Sequence, residues 1–150
     1  MTRKNLRVFL DTSVLFSAVL SSTGGARKLF LLGEAGMLDL MVGRHVLREA
    51  DEVVRRKAPA SLRLLAHLLE LGGVKTVPAP TPKQLETARS VIAYHPDAYV
   101  LAEAIRSEAD WFVTHDKEHF LKARASIKLS FEIGTPGDLL QKFKDDFSLP

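Results

Sequence analysis

The sequence predicts an α/β fold with a mostly parallel sheet covered by helices on both faces. Short apolar runs alternate along the chain with helical stretches, the order that builds parallel strands joined by crossover helices. No repeat, low-complexity tract or domain linker interrupts that order, so the 150 residues are expected to form one domain, 1–150.

Each element has a local reason. Leu6 to Asp11 is a short apolar run that reads as a buried strand. Ser13 to Leu20 reads as a helix, and Ser21-Ser22-Thr23-Gly24-Gly25 as a loop rich in breakers. Ala26 to Ala35 is helical and Gly36 stops it. Met37 to Val42 is the second strand. Arg44 to Arg56 is an amphipathic helix closed by Lys57-Ala58-Pro59, and Ala60 to Leu71 another closed by Gly72-Gly73. Val74 to Val77 is a third strand, followed by the stiff connector Pro78-Ala79-Pro80. Thr81 caps, and Pro82 opens, a helix reaching about Ala93, which His95-Pro96 breaks. Asp97 to Ser107 is the next helix, Asp110 to Thr114 a strand, Lys117 to Ala123 a short helix and Leu129 to Ile133 the last strand. Thr135-Pro136-Gly137-Asp138 resembles a capping box that starts a final helix from Leu139 to about Lys144.

Composition narrows the chemistry. Hydrophobic residues make up 46% and charged residues 26%, ordinary values for a globular domain. The absence of cysteine excludes disulfides, thiolate metal sites and cysteine nucleophiles, and fits a reducing cytoplasm. No apolar run approaches the ~20 residues that span a bilayer. The basic start, Met1 to Asn5, precedes a strand rather than a signal-peptide core. A soluble cytoplasmic protein is expected. The net charge of +3 permits an anionic partner without requiring one. Its positive charge clusters at Arg44, Arg48, Arg55, Arg56 and Lys57, and again at Lys117, Lys122, Arg124 and Lys128. Solvated helix faces are the competing explanation of both clusters.

Four acids stand beside predicted apolar elements: Asp11, Glu49, Asp97 and Asp116. Asp11 and Asp116 lie just past strand ends, where sites form in open α/β sheets. Both are also placed to cap the helices that follow. Asp97 falls in a first helical turn, where negative charge suits the helix dipole. Glu49 shares a three-and-four stripe with Val46, Ala50 and Val53, so a glutamate there is expected to be paired, protonated or metal-bound. Asp97 shares a stripe with Val100, Leu101 and Ala104, while Glu52, Glu103 and Glu108 fall off these stripes and read as surface residues. Four converging carboxylates would repel and raise each other's pKa values. A hard divalent cation, Mg²⁺ or Mn²⁺, relieves this, because oxygen-only ligands select such ions. Such an ion also acidifies water and neutralises phosphoryl oxygens, which phosphodiester hydrolysis needs.

These residues carry a family resemblance. Val8-Phe9-Leu10-Asp11-Thr12-Ser13-Val14-Leu15, Val46-Leu47-Arg48-Glu49 with Val53 to Lys57, Asp97 to Ala104, and Ala109 to Asp116 resemble, in order, the four motifs of the PIN-domain family. Within it the chain looks like the VapC-type toxin components of toxin–antitoxin systems. The resemblance spans roughly residues 6 to 120. It implies a three-layer α/β/α fold and a Mg²⁺- or Mn²⁺-dependent endoribonuclease with Asp11, Glu49, Asp97 and Asp116 as the acidic metal-binding set. Thr114 matches a supporting threonine, and Ser13 stands where the family often has asparagine; local turn bonding is the competing role of both. A homodimer and a cognate antitoxin are implied as partners, with no membrane. Arg44, Arg48 and Lys117 are candidates for an RNA-binding rim.

Other constellations fit less well. His95, Asp97, His115 and Asp116 suggest a metal phosphohydrolase of the HD type, but that class is all-helical and His115-Asp116 here follows an apolar strand. Gly24-Gly25 lacks the lysine of a P-loop, no serine sits in a nucleophile elbow, and Asp11-Thr12-Ser13 lacks the second aspartate of a haloacid-dehalogenase-like phosphatase. The remaining alternatives are a non-catalytic PIN scaffold that binds RNA or protein and a housekeeping RNA-processing nuclease.

Overall fold

The computed structural model describes residues 5–122, 124 and 128–146. In chain order the elements are β1 (Leu6–Leu10), α1 (Thr12–Leu20), α2 (Gly25–Glu34), β2 (Leu38–Val42), α3 (Arg44–Lys57), a 3₁₀ turn (Pro59–Ser61), α4 (Leu62–Leu71), β3 (Lys75–Thr76), α5 (Pro82–Val91), α6 (His95–Arg106), β4 (Trp111–Val113), a π-helical turn (Lys117–Leu121), β5 (Glu132–Gly134) and α7 (Pro136–Asp146). The strands form one five-stranded sheet in the order β3-β2-β1-β4-β5. All four pairings are parallel, so "mostly parallel" becomes wholly parallel among the described residues. Helices cover both faces, giving three α/β/α layers.

The core explains why these runs become central strands. Val8, Phe9 and Leu10 of β1 and Phe112 and Val113 of β4 are fully buried, successive residues facing opposite helical layers. The Phe112 ring meets Phe9, Phe120 and Phe131 with centroids 5.6, 4.8 and 6.1 Å away. Truncating such a ring to alanine costs about 3–5 kcal/mol. The edge is short and polar: β3 has two exposed residues, against a predicted Val74 to Val77. A brief edge offers little template for pairing with another chain.

Caps set most helix limits. Thr81 and Gln84 form a reciprocal capping box with Pro82 inside the first turn. Thr135 and Asp138 exchange backbone-to-side-chain bonds of 2.9 and 3.0 Å at the start of α7. Gly36, at φ 74°, ends α2 in the left-handed conformation that glycine adopts freely. Several boundaries depart from expectation, among them the three that follow. α6 begins at His95, because proline is tolerated in a first turn where its missing N–H has no partner to lose. The expected helix from Lys117 is a π-helical turn ending at Leu121; its expected end, Ala123, lies outside the described residues. β5 starts at Glu132, three residues after the predicted Leu129, because its pairing begins only opposite Trp111.

The strand order places the site. From β1 the chain moves outward to β2 and β3, then returns across β1 to β4 and β5. The carboxyl ends of β1 and β4 therefore flank the reversal, where parallel sheets leave a crevice.

Candidate metal centre

Strand register brings the first two acids together. Leu10 pairs with Val113, and the Asp11 N–H donates to the Val113 carbonyl at 3.0 Å. Asp11 and Thr114 thus leave neighbouring strands at one level. The buried Thr114 hydroxyl donates to Asp11 Oδ2 at 2.7 Å and accepts from the Asp116 N–H at 2.9 Å. Ser13 Oγ donates to the same Asp11 oxygen at 3.1 Å and accepts the His115 N–H at 3.0 Å. Ser13, although shorter than asparagine, therefore reaches Asp11 and ties it to the β4 loop. The Asp11 side chain does not cap α1. Asp116 does cap: its Oδ1 accepts the His119 N–H at 3.1 Å, which shapes the π-helical turn.

Asp97 arrives from the first turn of α6. Its Oδ2 is buried without a hydrogen bond. The nearest cationic group is His119 Nδ1, 3.4 Å away, within ion-pair range but without hydrogen-bond geometry. The same Nδ1 lies 2.9 Å from Asp116 Oδ2. Ligand atoms of Asp97, Asp116 and His119 all fall within 4.8 Å of one another. Asp11, Glu49, Asp97 and Asp116 line one cleft of about 460 Å³, together with Ser13 and His119.

The electrostatics follow from this crowding. Burial pushes the Asp11 carboxyl pKa up, against the bonds from Thr114 and Ser13, and the Asp116 charge adds to the rise. Desolvation also raises Asp97; His119 opposes the shift, while Asp116 and Asp11 reinforce it. Glu49 is raised by desolvation and then by Asp11. His119 is raised, chiefly by its bond to Asp116, and His115 is lowered by desolvation. A bound divalent cation would reverse the mutual penalty among the acids. The orphaned Asp97 oxygen and the oxygen-rich donor set fit such an ion.

Two expectations need correction. Glu49 is not held in an apolar stripe. The buried face of α3 is Val46, Ala50 and Val54, and Glu49 sits at the cleft edge with its side chain 48% exposed, 3.6 Å from His45 Nε2. The helix turns by about 100° per residue, and a stripe drawn through Val53 rather than Val54 rotated the acid inward. Glu103 is not a surface residue: it is 1% exposed. Its Oε2 accepts the His45 N–H at 2.9 Å, and burial pushes its pKa up to about 7. Gly43, the N-cap of α3, has no side chain to cap with. A Cβ there would overlap the Glu103 carboxylate, so the glycine and the glutamate form one capping unit. The cue in the sequence is a glycine where a capping residue is normal. His119 joins the acids although the apolar stripes do not single it out. Its place three residues after the capping Asp116 is the available signal, because a cap's side chain bonds the backbone N–H of the third residue after it. Arg44, Arg48 and Lys117 are exposed and outside the cleft lining, and Lys117 opens onto a separate concavity with Lys122 and Arg124.

A wholly parallel sheet with acids gathered at the carboxyl ends of its two central strands defines the class. The sequence matches the PIN domain over residues 7–118, and the chain belongs to that family. Its fold is similar to that of VapBC2 from Rickettsia felis bound to a DNA fragment from its promoter, with TM-score 0.61 and 16% identity over 85% of this chain and 97% of the other. It is also similar to PAE2754 from Pyrobaculum aerophilum, with TM-score 0.59 and 20% identity over 94% of this chain and 97% of the other. No curated protein matches the sequence. Among the described residues, no helix is long and apolar enough to cross a membrane.

Proposed function

We propose that the protein is a divalent-metal-dependent endoribonuclease acting in the cytoplasm as the toxin of a toxin–antitoxin pair. The observation that carries the reading is the convergence of Asp11, Asp97 and Asp116, with Glu49 beside them, on one open cleft. Asp11, Asp97 and Asp116 would hold Mg²⁺ or Mn²⁺. Such an ion supplies neutralisation of phosphoryl charge and an acidified water. Thr114 and Ser13 hold the Asp11 carboxylate in place at the lining of the cleft. Glu49, at the rim, is placed to orient the attacking water. His115 faces the cleft, where burial lowers its pKa, and its ring N–H can donate a hydrogen bond to a phosphate oxygen. Arg44, Arg48 and Lys117 would hold the RNA backbone further out, giving salt-dependent and largely sequence-independent affinity.

The likeness to the Rickettsia felis VapBC2 structure supports a toxin role and a cognate antitoxin. A homodimer is the matching oligomeric expectation. The test is cleavage of a mixed cellular RNA pool with Mg²⁺ or Mn²⁺, against EDTA and against Asp97→Asn. Cutting that requires both the ion and Asp97 is expected. Cutting that survives EDTA, or that Asp97→Asn retains, would overturn the assignment.

A further inference from the structure

We infer that His119 is itself a metal ligand, giving this centre a nitrogen beside its carboxylate oxygens and a preference for Mn²⁺ over Mg²⁺. The inference rests on the metal-dependent reading above and assigns a role to a residue outside the acidic set.

Geometry is the first support. Ligand atoms about 2.1 Å from one ion and at right angles lie about 3 Å apart. His119 Nδ1 is 2.9 Å from Asp116 Oδ2 and 3.4 Å from Asp97 Oδ2, and ligand atoms of the three residues lie within 4.8 Å of one another, so a single ion can reach all three. The orphaned Asp97 Oδ2 is one of those atoms. Orientation is the second. The His119 backbone N–H is tied to Asp116 Oδ1, and its ring stacks on Tyr94 at 5.8 Å and 24°. The imidazole is therefore aimed at the acids from two directions. Donor chemistry is the third. Carboxylates suit Mg²⁺ and Mn²⁺ alike, but imidazole suits transition metals, and Mg²⁺ keeps water in preference to nitrogen. The competing role is a placeholder that pairs with the acids in the free protein and swings away when an ion enters.

The experiment titrates the whole chain with Mn²⁺ alone and with Mg²⁺ alone, by calorimetry, and records pulsed EPR of the Mn²⁺ form. The inference expects a ¹⁴N coupling to Mn²⁺ in the native chain. His119→Ala and His119→Gln should both abolish it, weaken Mn²⁺ binding by about tenfold or more, and change Mg²⁺ binding by less than about threefold. Mn²⁺ bound without ¹⁴N coupling, or equal losses for the two ions, would overturn the inference and leave the acidic metal site standing. No binding of either ion to the native chain would overturn both readings. The native spectrum needs no variant, so a misfolded His119→Ala cannot obscure the answer.

Discussion

Asp97 and Glu103 stand on the same helix, α6, and each has a carboxylate oxygen buried without a hydrogen bond. Their surroundings differ. Asp97 opens onto a cleft shared with Asp11 and Asp116, near the end of a strand from each side of the sheet's reversal point. Glu103 is sealed against Gly43 and donates nothing to a cavity; its other oxygen caps α3. A buried acid is therefore not evidence of chemistry by itself. Convergence with other acids and access from solvent separate the candidate site from the helix cap.

Exchanging the two acids for their amides should produce opposite signatures, and this is the largest contrast expected. Asp97→Asn should lower RNA cleavage by about 100-fold or more, because an amide lacks the charge an ion needs, a loss of several kcal/mol in the transition state. Its thermal unfolding should be unchanged or raised, since a desolvated charge is removed. Glu103→Gln should retain cleavage. A Glu103→Gln variant that folds normally but does not cut RNA would join Glu103 to the site and erase the distinction.

The next contrast is in pH. The folded pKa of Glu103, about 7, exceeds the ordinary 4.5. The protonated form thus favours the fold, so this contribution is complete below 4.5 and is lost as pH rises through 7. The gap corresponds to up to about 3 kcal/mol. Glutamine resembles the protonated acid. Urea unfolding in EDTA should then show Glu103→Gln matching the native chain near pH 4 and exceeding it near pH 8. A constant difference between the two across that range would mean that Glu103 keeps an ordinary pKa. The differential measurement matters because Asp11, Glu49 and Asp97 are raised too and carry the same sign.

Gly43→Ala tests the sealed side directly. The new methyl group would press on the Glu103 carboxylate, an overpacking that costs about 1–3 kcal/mol. The same substitution leaves the lining of the acidic cleft untouched. Equilibrium unfolding should show the loss, and Mn²⁺ affinity should not change; unaltered stability would show that Glu103 has room to retreat.

The difference between the two regions also explains what was legible in the sequence. Asp11, Thr114 and Asp116 follow apolar strands, and strand ends in a parallel sheet point to one edge, so their meeting was predictable from pattern alone. Asp97 was readable because it shares its stripe with Val100, Leu101 and Ala104. Glu49 lines the cleft from an exposed edge rather than from an apolar stripe, because a helix stripe fixes direction only to within one residue's turn. Glu103 and His119 left only local cues, a glycine at a cap position and a spacing of three from Asp116, and their surroundings needed tertiary information. Glu103 is explained by a glycine that caps another helix, and His119 by a π-helical turn in place of the expected regular helix. Neither partner is visible from periodicity, which reports the face a residue occupies and not what stands opposite.

Arg48 joins the two regions and gives the smallest expected effect. It is exposed on α3, one residue before Glu49, and its charge lowers the Glu103 pKa. If Arg48 belongs to the RNA rim, Arg48→Ala should flatten the dependence of log affinity on log salt by about 0.7 for one single-strand phosphate contact. If its role is instead to ease the Glu103 charge, the salt slope should stay as it is, and the stability loss above pH 7 should grow slightly. Binding of single-stranded RNA to the Asp97→Asn background, measured across a salt series, separates these, because that background prevents cleavage during the titration. A flattened slope with an unchanged pH profile assigns Arg48 to the site; the reverse assigns it to the cap.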